Sequence, residues 1–181
     1  NILGSGALWT IVDGSKGSGS VFVIGKNKNG DHVDGVTATL ASLTIRKGTG
    51  TPIYLEDYDS YFNFGGGIYN DQGTLNVRNC VISCNNADFG GGIYNDGKLN
   101  LNGASMDNNA AKNGGGIYNW GTMIQRGGSM NHNCALGWGG GGISNTGTLI
   151  IKNGKLNRNN ATSANSSVGF GGAIWNDDGA A

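Results

Sequence analysis

The residues able to do chemistry are few and fall in three places. Asp71 and Asp96 follow the same Ile-Tyr-Asn ending, 25 residues apart. If that phrase recurs in space, the two acids stack, and stacked acids can share a cation such as Ca²⁺; solvation at a surface is the plainer alternative. Glu56, Asp57 and Asp59 lie beside Tyr54, Tyr58 and Tyr61 in the segment TPIYLEDYDSYFN. Acids and aromatics on one loop suit contact with a sugar, with or without Ca²⁺; such a loop can also simply cover a flank. The third group is His32, His132, Cys80, Cys84 and Cys134.

None of these assembles into a catalytic set. A polysaccharide lyase needs a carboxylate cluster for Ca²⁺ with an Arg or Lys base, and a hydrolase needs paired carboxylates. The column of Asp71 and Asp96 continues as Trp120 and Thr146, and an acid returns only at Asp177. The two His are far apart in repeat register, with no legible Ser/His/Asp arrangement. Cys84 and His132 share a column but lie two coils apart, too far for one Zn²⁺. Cys80 and Cys84 would be roughly 13 Å apart on an extended segment, which excludes a strain-free disulfide. The expectation is no catalytic residue, no metal site and no cofactor, with Ca²⁺ the one ion left open.

The elements that would position these residues announce themselves by repetition. GGGIYN occurs at 65–70, 90–95 and 114–119, followed by GGGISN at 140–145 and GGAIWN at 171–176. The central Ile68, Ile93, Ile117, Ile143 and Ile174 are spaced by 25, 24, 26 and 31 residues. A period in this range marks a solenoid, in which each unit buries its apolar face against its neighbours. Each repeat holds three short alternating segments: the Ile column, then Leu75, Leu99, Met123 and Leu149, then Ile82, Met106, Met130 and Leu156. Alternation sends every second side chain to one face. Three strands in 24–26 residues, without a helical return, predict an all-β, single-stranded parallel β-helix with coils about 4.8 Å apart.

The chain reads as one domain over residues 1–181. Irregular coils occupy 8–64, with insertions at 25–35 and 49–63; four regular repeats occupy 65–170, and an incomplete coil occupies 171–181. It opens and closes inside the repeat pattern without an initiator Met, as a mature product or a piece of a longer chain would.

Repeat-matched residues divide by role. Asn70, Asn95, Asn119, Asn145 and Asn176 end the first strand; Asn85, Asn109, Asn133 and Asn159 follow the third. Asn tolerates left-handed backbone, and stacked amides can bond along the axis, so both columns are expected to be structural ladders. The glycines before each Ile suit tight corners. Tyr69, Tyr94, Tyr118, Ser144 and Trp175 form a column expected to face outward, where aromatics either firm up a sheet or dock a polysaccharide or a subunit. Tyr54 and Tyr58 join Tyr69, Tyr94, Tyr118 and Trp175 as contact candidates.

Composition narrows the partners. There are 36 Gly but 1 Pro, and 12 basic residues balance 12 acidic ones. Neither collagen nor a Pro-rich disordered chain has that balance, and no basic field exists to hold nucleic acid or an anionic membrane. No apolar run reaches the length of a membrane-spanning helix.

The GGGIYN–GTLNV–ISxN cycle resembles the right-handed parallel β-helix repeat proteins, whose superfamily includes pectate lyases. It is particularly similar to the Gly-Gly-rich repeats of bacterial and archaeal adhesin-like surface proteins. Gly171-Gly172-Ala173-Ile174 gives partial similarity to chlamydial polymorphic outer-membrane proteins. The resemblance covers about residues 8–181. It implies an exported, non-catalytic structural or adhesive protein, extracellular or at the cell surface. Its partners would be further copies of itself, in a fibre or envelope layer, or a surface polysaccharide or host-cell ligand. The alternative is a carbohydrate-active β-helix enzyme or carbohydrate-binding module.

Overall fold

The computed structural model describes residues 1–162 and 171–177; the remainder of the fourth repeat (163–170) and of the last coil (178–181) lies outside them. Each regular coil opens at a glycine corner and runs through short strands, seen clearly as Ile68–Asn70, Thr74–Arg78, Val81–Ser83 and Asn86–Phe89. The same series returns as Ile93–Asn95, Lys98–Asn102, Ser105–Asp107 and Ala110–Asn113. In the next coil the second and third strands run together as Thr122–Asn131, between Ile117–Asn119 and Cys134–Trp138. Pairing from coil to coil is parallel and in register: Ile68, Ile93, Ile117, Ile143 and Ile174 fall opposite one another, as do Leu75, Leu99, Met123 and Leu149. The fold is a parallel β-helix.

The coil has one strand more than the three read from sequence. On the fourth strand Ala87, Ala111 and Ala135 are all buried. Alanine is a weak hydrophobic signal between polar neighbours, so the alternation there is faint in the sequence although the backbone pairs normally.

The interior is a stack of aliphatic columns. Ile68, Ile93, Ile117 and Ile143 are fully buried, as are Leu75, Leu99, Ile82, Met106 and Met123. Burial of one such side chain contributes about 1.5–3 kcal/mol, so the stacked columns dominate the favourable side of folding. One polar residue interrupts them. Gln125 takes the place held by Leu101 in the coil before and Ile151 in the coil after, and its buried Oε1 has no partner.

Two kinds of corner shape the coil. At the glycine corner Gly90 has φ +65°, and a Cβ on Gly91 would lie 2.2 Å from Ala110 O and 2.5 Å from Gly115 O. Close backbone approach, as much as conformational freedom, requires glycine there. After the third strand, the left-handed position is filled by Cys84, Asn108, His132 and Arg158, at φ 52–56°. The left-handed residue is thus the one before each Asn of the second column; none of the nine ladder asparagines has positive φ.

Both insertions have definite structure. Residues 25–35 form a loop held by an isolated antiparallel bridge between Lys26 and His32. Residues 49–63 contribute an antiparallel hairpin, Thr51–Leu55 with Ser60–Phe64, turning through a 3₁₀ segment at Glu56–Tyr58. The hairpin sits at one end of the fourth-strand sheet, with Thr51–Leu55 outermost. Pro52 removes a donor from that edge strand.

Candidate contact surfaces

The asparagine columns are ladders. Nδ2 of Asn70, Asn95, Asn119 and Asn145 donates to Oδ1 of the next coil's Asn at 2.6–2.7 Å, ending on Asn176. Each of those amides also donates to a glycine carbonyl in its own turn, such as Gly97 O at 3.1 Å from Asn95. In the second ladder Asn85, Asn109 and Asn133 donate to Asn109, Asn133 and Asn159 at 2.9–3.0 Å. There the accepting Oδ1 also takes the backbone N–H of the Asn above, and Gly48 N–H supplies this bond at Asn85. The amides point one way, so each bond polarises the next. The first ladder starts abruptly: Ile24 sits above Asn70 in register, and Asn70 Oδ1 is buried without a partner.

The tyrosine column points away from the aliphatic core, as expected, and is largely covered there. Tyr69, Tyr94 and Tyr118 stack at centroid separations of 5.6 Å. Phe64 and Phe89, from the preceding strand across the glycine corner, close edge-on over Tyr94 and Tyr118 at 4.9 and 5.3 Å. Tyr69 is 7% exposed; Tyr94, Tyr118 and Trp175 are half-buried, and Ser144 is buried with its hydroxyl accepting Gly140 N–H. The rings pack on one another across the glycine corner as a second apolar cluster. Burial holds the Tyr69 and Tyr94 phenols un-ionised far above the usual tyrosine range, with Asp71 and Asp96 charge adding to it.

Asp71 and Asp96 do occupy adjacent coils, but the chain supplies Asp71 with its own cations. Lys26 Nζ and His32 Nδ1 lie 3.2 and 3.3 Å from Asp71 Oδ2, and Tyr69 OH donates to Oδ1 at 3.2 Å. His32 Nε2 lies 3.1 Å from Asp34. Asp96 is raised above the ordinary carboxyl range, first by desolvation and then by Asp71 charge. Among the described residues no three His, Cys, Asp or Glu side chains converge as a metal set would require.

Glu56, Asp57 and Asp59 lie exposed at the hairpin tip. Tyr54 and Tyr61 face each other across the strands, centroids 5.2 Å apart, and are 45% and 69% exposed. Tyr54 OH donates to Asp59, which raises the phenol's pKa above the usual tyrosine value. Beneath them Phe62 packs on Phe89, with Lys112 Nζ 5.7 Å from its ring centroid. Lys112 in turn pairs with Asp88, which accepts Asn63 N–H at 2.7 Å. The exposed pair therefore rides on a pinned base, while Tyr58, 70% exposed, leans on Phe62. Pinning by Phe89, Asp88 and Lys112 was invisible in the sequence, because those partners come from two other coils.

The remaining groups stay apart. Cys80 is buried, Cys84 exposed and Cys134 half-buried, all as free thiols. An open recess of about 530 Å³ is lined by Asn131, His132, Leu156, Asn157 and Arg158 and contains no carboxylate. No protein-family model, curated protein or solved structure matches the chain.

Proposed function

We propose that the chain is a non-catalytic structural and adhesive rod, working outside the cell or at its surface. The parallel β-helix is its stiff body, and the hairpin at Thr51–Phe64 is its contact element for a surface polysaccharide or host-cell ligand. One observation carries this reading: repeat-borne Asn and Tyr side chains spend their bonding inside the solenoid, whereas Tyr54, Tyr58 and Tyr61 remain exposed on an anchored base. Two tyrosine faces flanked by acids suit the apolar faces and hydroxyls of sugar rings. The blunted edge at Pro52 favours attachment over end-to-end growth at that side of the molecule.

Binding to immobilised neutral and acidic polysaccharides tests the proposal. The wild-type chain is expected to bind at least one of them, and Tyr54→Ala with Tyr61→Ala to weaken that binding about tenfold, the equivalent of 1.4 kcal/mol. Both changes are at exposed positions, so the melting temperature should hold. Polysaccharide turnover abolished by Glu56→Gln would instead establish the enzyme reading. Binding insensitive to both tyrosines would remove the hairpin from the account.

A further inference from the structure

The segment Gly25–Gly35 crosses the outer end of the aromatic stack. Its two end glycines have φ +88° and +69°, and a Cβ on Gly25 would lie 1.9 Å from Asp71 O. The segment is closed on itself by Val33 N–H donating to Gly25 O at 2.7 Å, and by Asn27 N–H donating to Asp31 O at 2.9 Å. Its side-chain fastening to the coil beneath converges on one atom, Asp71 Oδ2, reached by Lys26 and His32. What it covers is visible by comparison between coils. Tyr69, under this segment and with Lys26 Nζ 5.9 Å from its ring centroid, is buried; its equivalents Tyr94 and Tyr118 are half-buried.

We propose that Gly25–Gly35 is a proton-sensitive strap, fastened over Tyr69 and Asp71 by the imidazolium of His32 and loosened when that ring loses its proton. The geometry carries the argument. His32 has a carboxylate oxygen at each nitrogen, Asp71 at Nδ1 and Asp34 at Nε2. Both nitrogens donate only in the cation; a neutral ring has one N–H and must turn a lone pair toward the other carboxylate. The charged groups around the ring are Asp34 on the strap, Asp71 and Asp96 on the coils, and Lys26, which shares Asp71. Deprotonation leaves Lys26 alone against these carboxylates. Hydrogen bonds donated by the ring to Asp34 and then Asp71 raise the His32 pKa above 6.5, against the smaller pull of desolvation. A raised folded-state pKa means that the fastening is complete below about pH 6.5 and is lost as pH climbs through the folded value.

The test is NMR on the intact chain between pH 5 and 9. It follows the His32 ring, with the His132 ring in the same spectra for comparison, and the Val33 amide exchange protection after correction for intrinsic rate. We expect His32 to titrate above 6.5. We also expect Val33 protection to fall severalfold across that titration. In His32→Gln protection should be low and flat with pH, and in Asp34→Asn the His32 midpoint should move down. Ile93 amide protection, unchanged in both variants, reports that the solenoid is folded. A His32 midpoint at or below 6.5, or the same pH dependence of Val33 protection in wild type and His32→Gln, overturns the strap.

Discussion

Removing one rung of the second asparagine ladder should cost as much as removing a large core side chain. Asn109 is fully buried; its Nδ2 donates to Ile82 O at 2.9 Å and Asn133 Oδ1 at 3.0 Å. Its Oδ1 accepts both Asn85 N–H at 3.1 Å and Asn85 Nδ2 at 3.0 Å. In Asn109→Ala these four bonds vanish. Two partners keep an alternative, because Asn133 Oδ1 still receives Asn109 N–H and Asn85 Nδ2 still reaches Ile45 O. Asn85 N–H loses the one side-chain acceptor it has here and is left buried. Four bonds at about 0.5–1.5 kcal/mol each, with a further 1–3 for the orphaned donor, place the loss at about 3–9 kcal/mol. That is a large part of the roughly 5–15 kcal/mol by which domains are stable. Urea unfolding followed by tryptophan fluorescence and far-UV circular dichroism measures it, and coincident curves justify a single free energy. Asn100→Ala is the control: Asn100 donates to Asn76 at 3.1 Å on the half-buried outer face, and its loss should cost less than about 1 kcal/mol. Asn109→Asp sharpens the test. It keeps the acceptor but turns a carboxylate oxygen toward Ile82 O and Asn133 Oδ1. Its folded-state pKa must therefore rise, and the deficit should shrink on acidification as the protonated acid regains a donor. If Asn109→Ala costs no more than Asn100→Ala, the ladders are ornament and the solenoid rests on its aliphatic columns alone.

Two further perturbations probe the coil from other sides. Gln125→Leu replaces a buried amide whose Oε1 lacks a partner with the residue type of its neighbour Leu101, and should raise the urea midpoint by an equivalent of about 1–3 kcal/mol. Gly91→Ala drives a Cβ into two backbone carbonyls of neighbouring coils and should cost about 3 kcal/mol or more in the same assay. Gly17→Ala, whose Cβ would meet nothing nearer than 3.7 Å, should change the midpoint little.

The architecture was legible because the repeat writes the same instruction several times. Ile at one column, Leu or Met at the next and Asn at two corners have a single parallel, in-register stacking that buries all the aliphatics and lets the amides bond along the axis. The fourth strand escaped because its buried residues are Ala87, Ala111 and Ala135. The tyrosine column faces outward as its register predicts, with a cover that the register does not specify. Alternation within Ile-Tyr-Asn correctly turns Tyr away from the aliphatic core, but says nothing about Phe64 and Phe89 folding back across the glycine corner.

The chemistry-bearing residues divide along the same line. By itself the sequence determined that Asp71 and Asp96 share a column, that both Asn sets form ladders, and that Glu56, Asp57 and Asp59 travel with tyrosines; each follows from period or adjacency. Only the tertiary structure decided that Asp71 is met by Lys26 and His32, and that Tyr54 and Tyr61 stand clear on a hairpin pinned by Phe89 and Asp88. Those contacts join insertions to coils. An insertion has no period, so its place against the stack is set by packing and charge in three dimensions and leaves no trace in residue spacing.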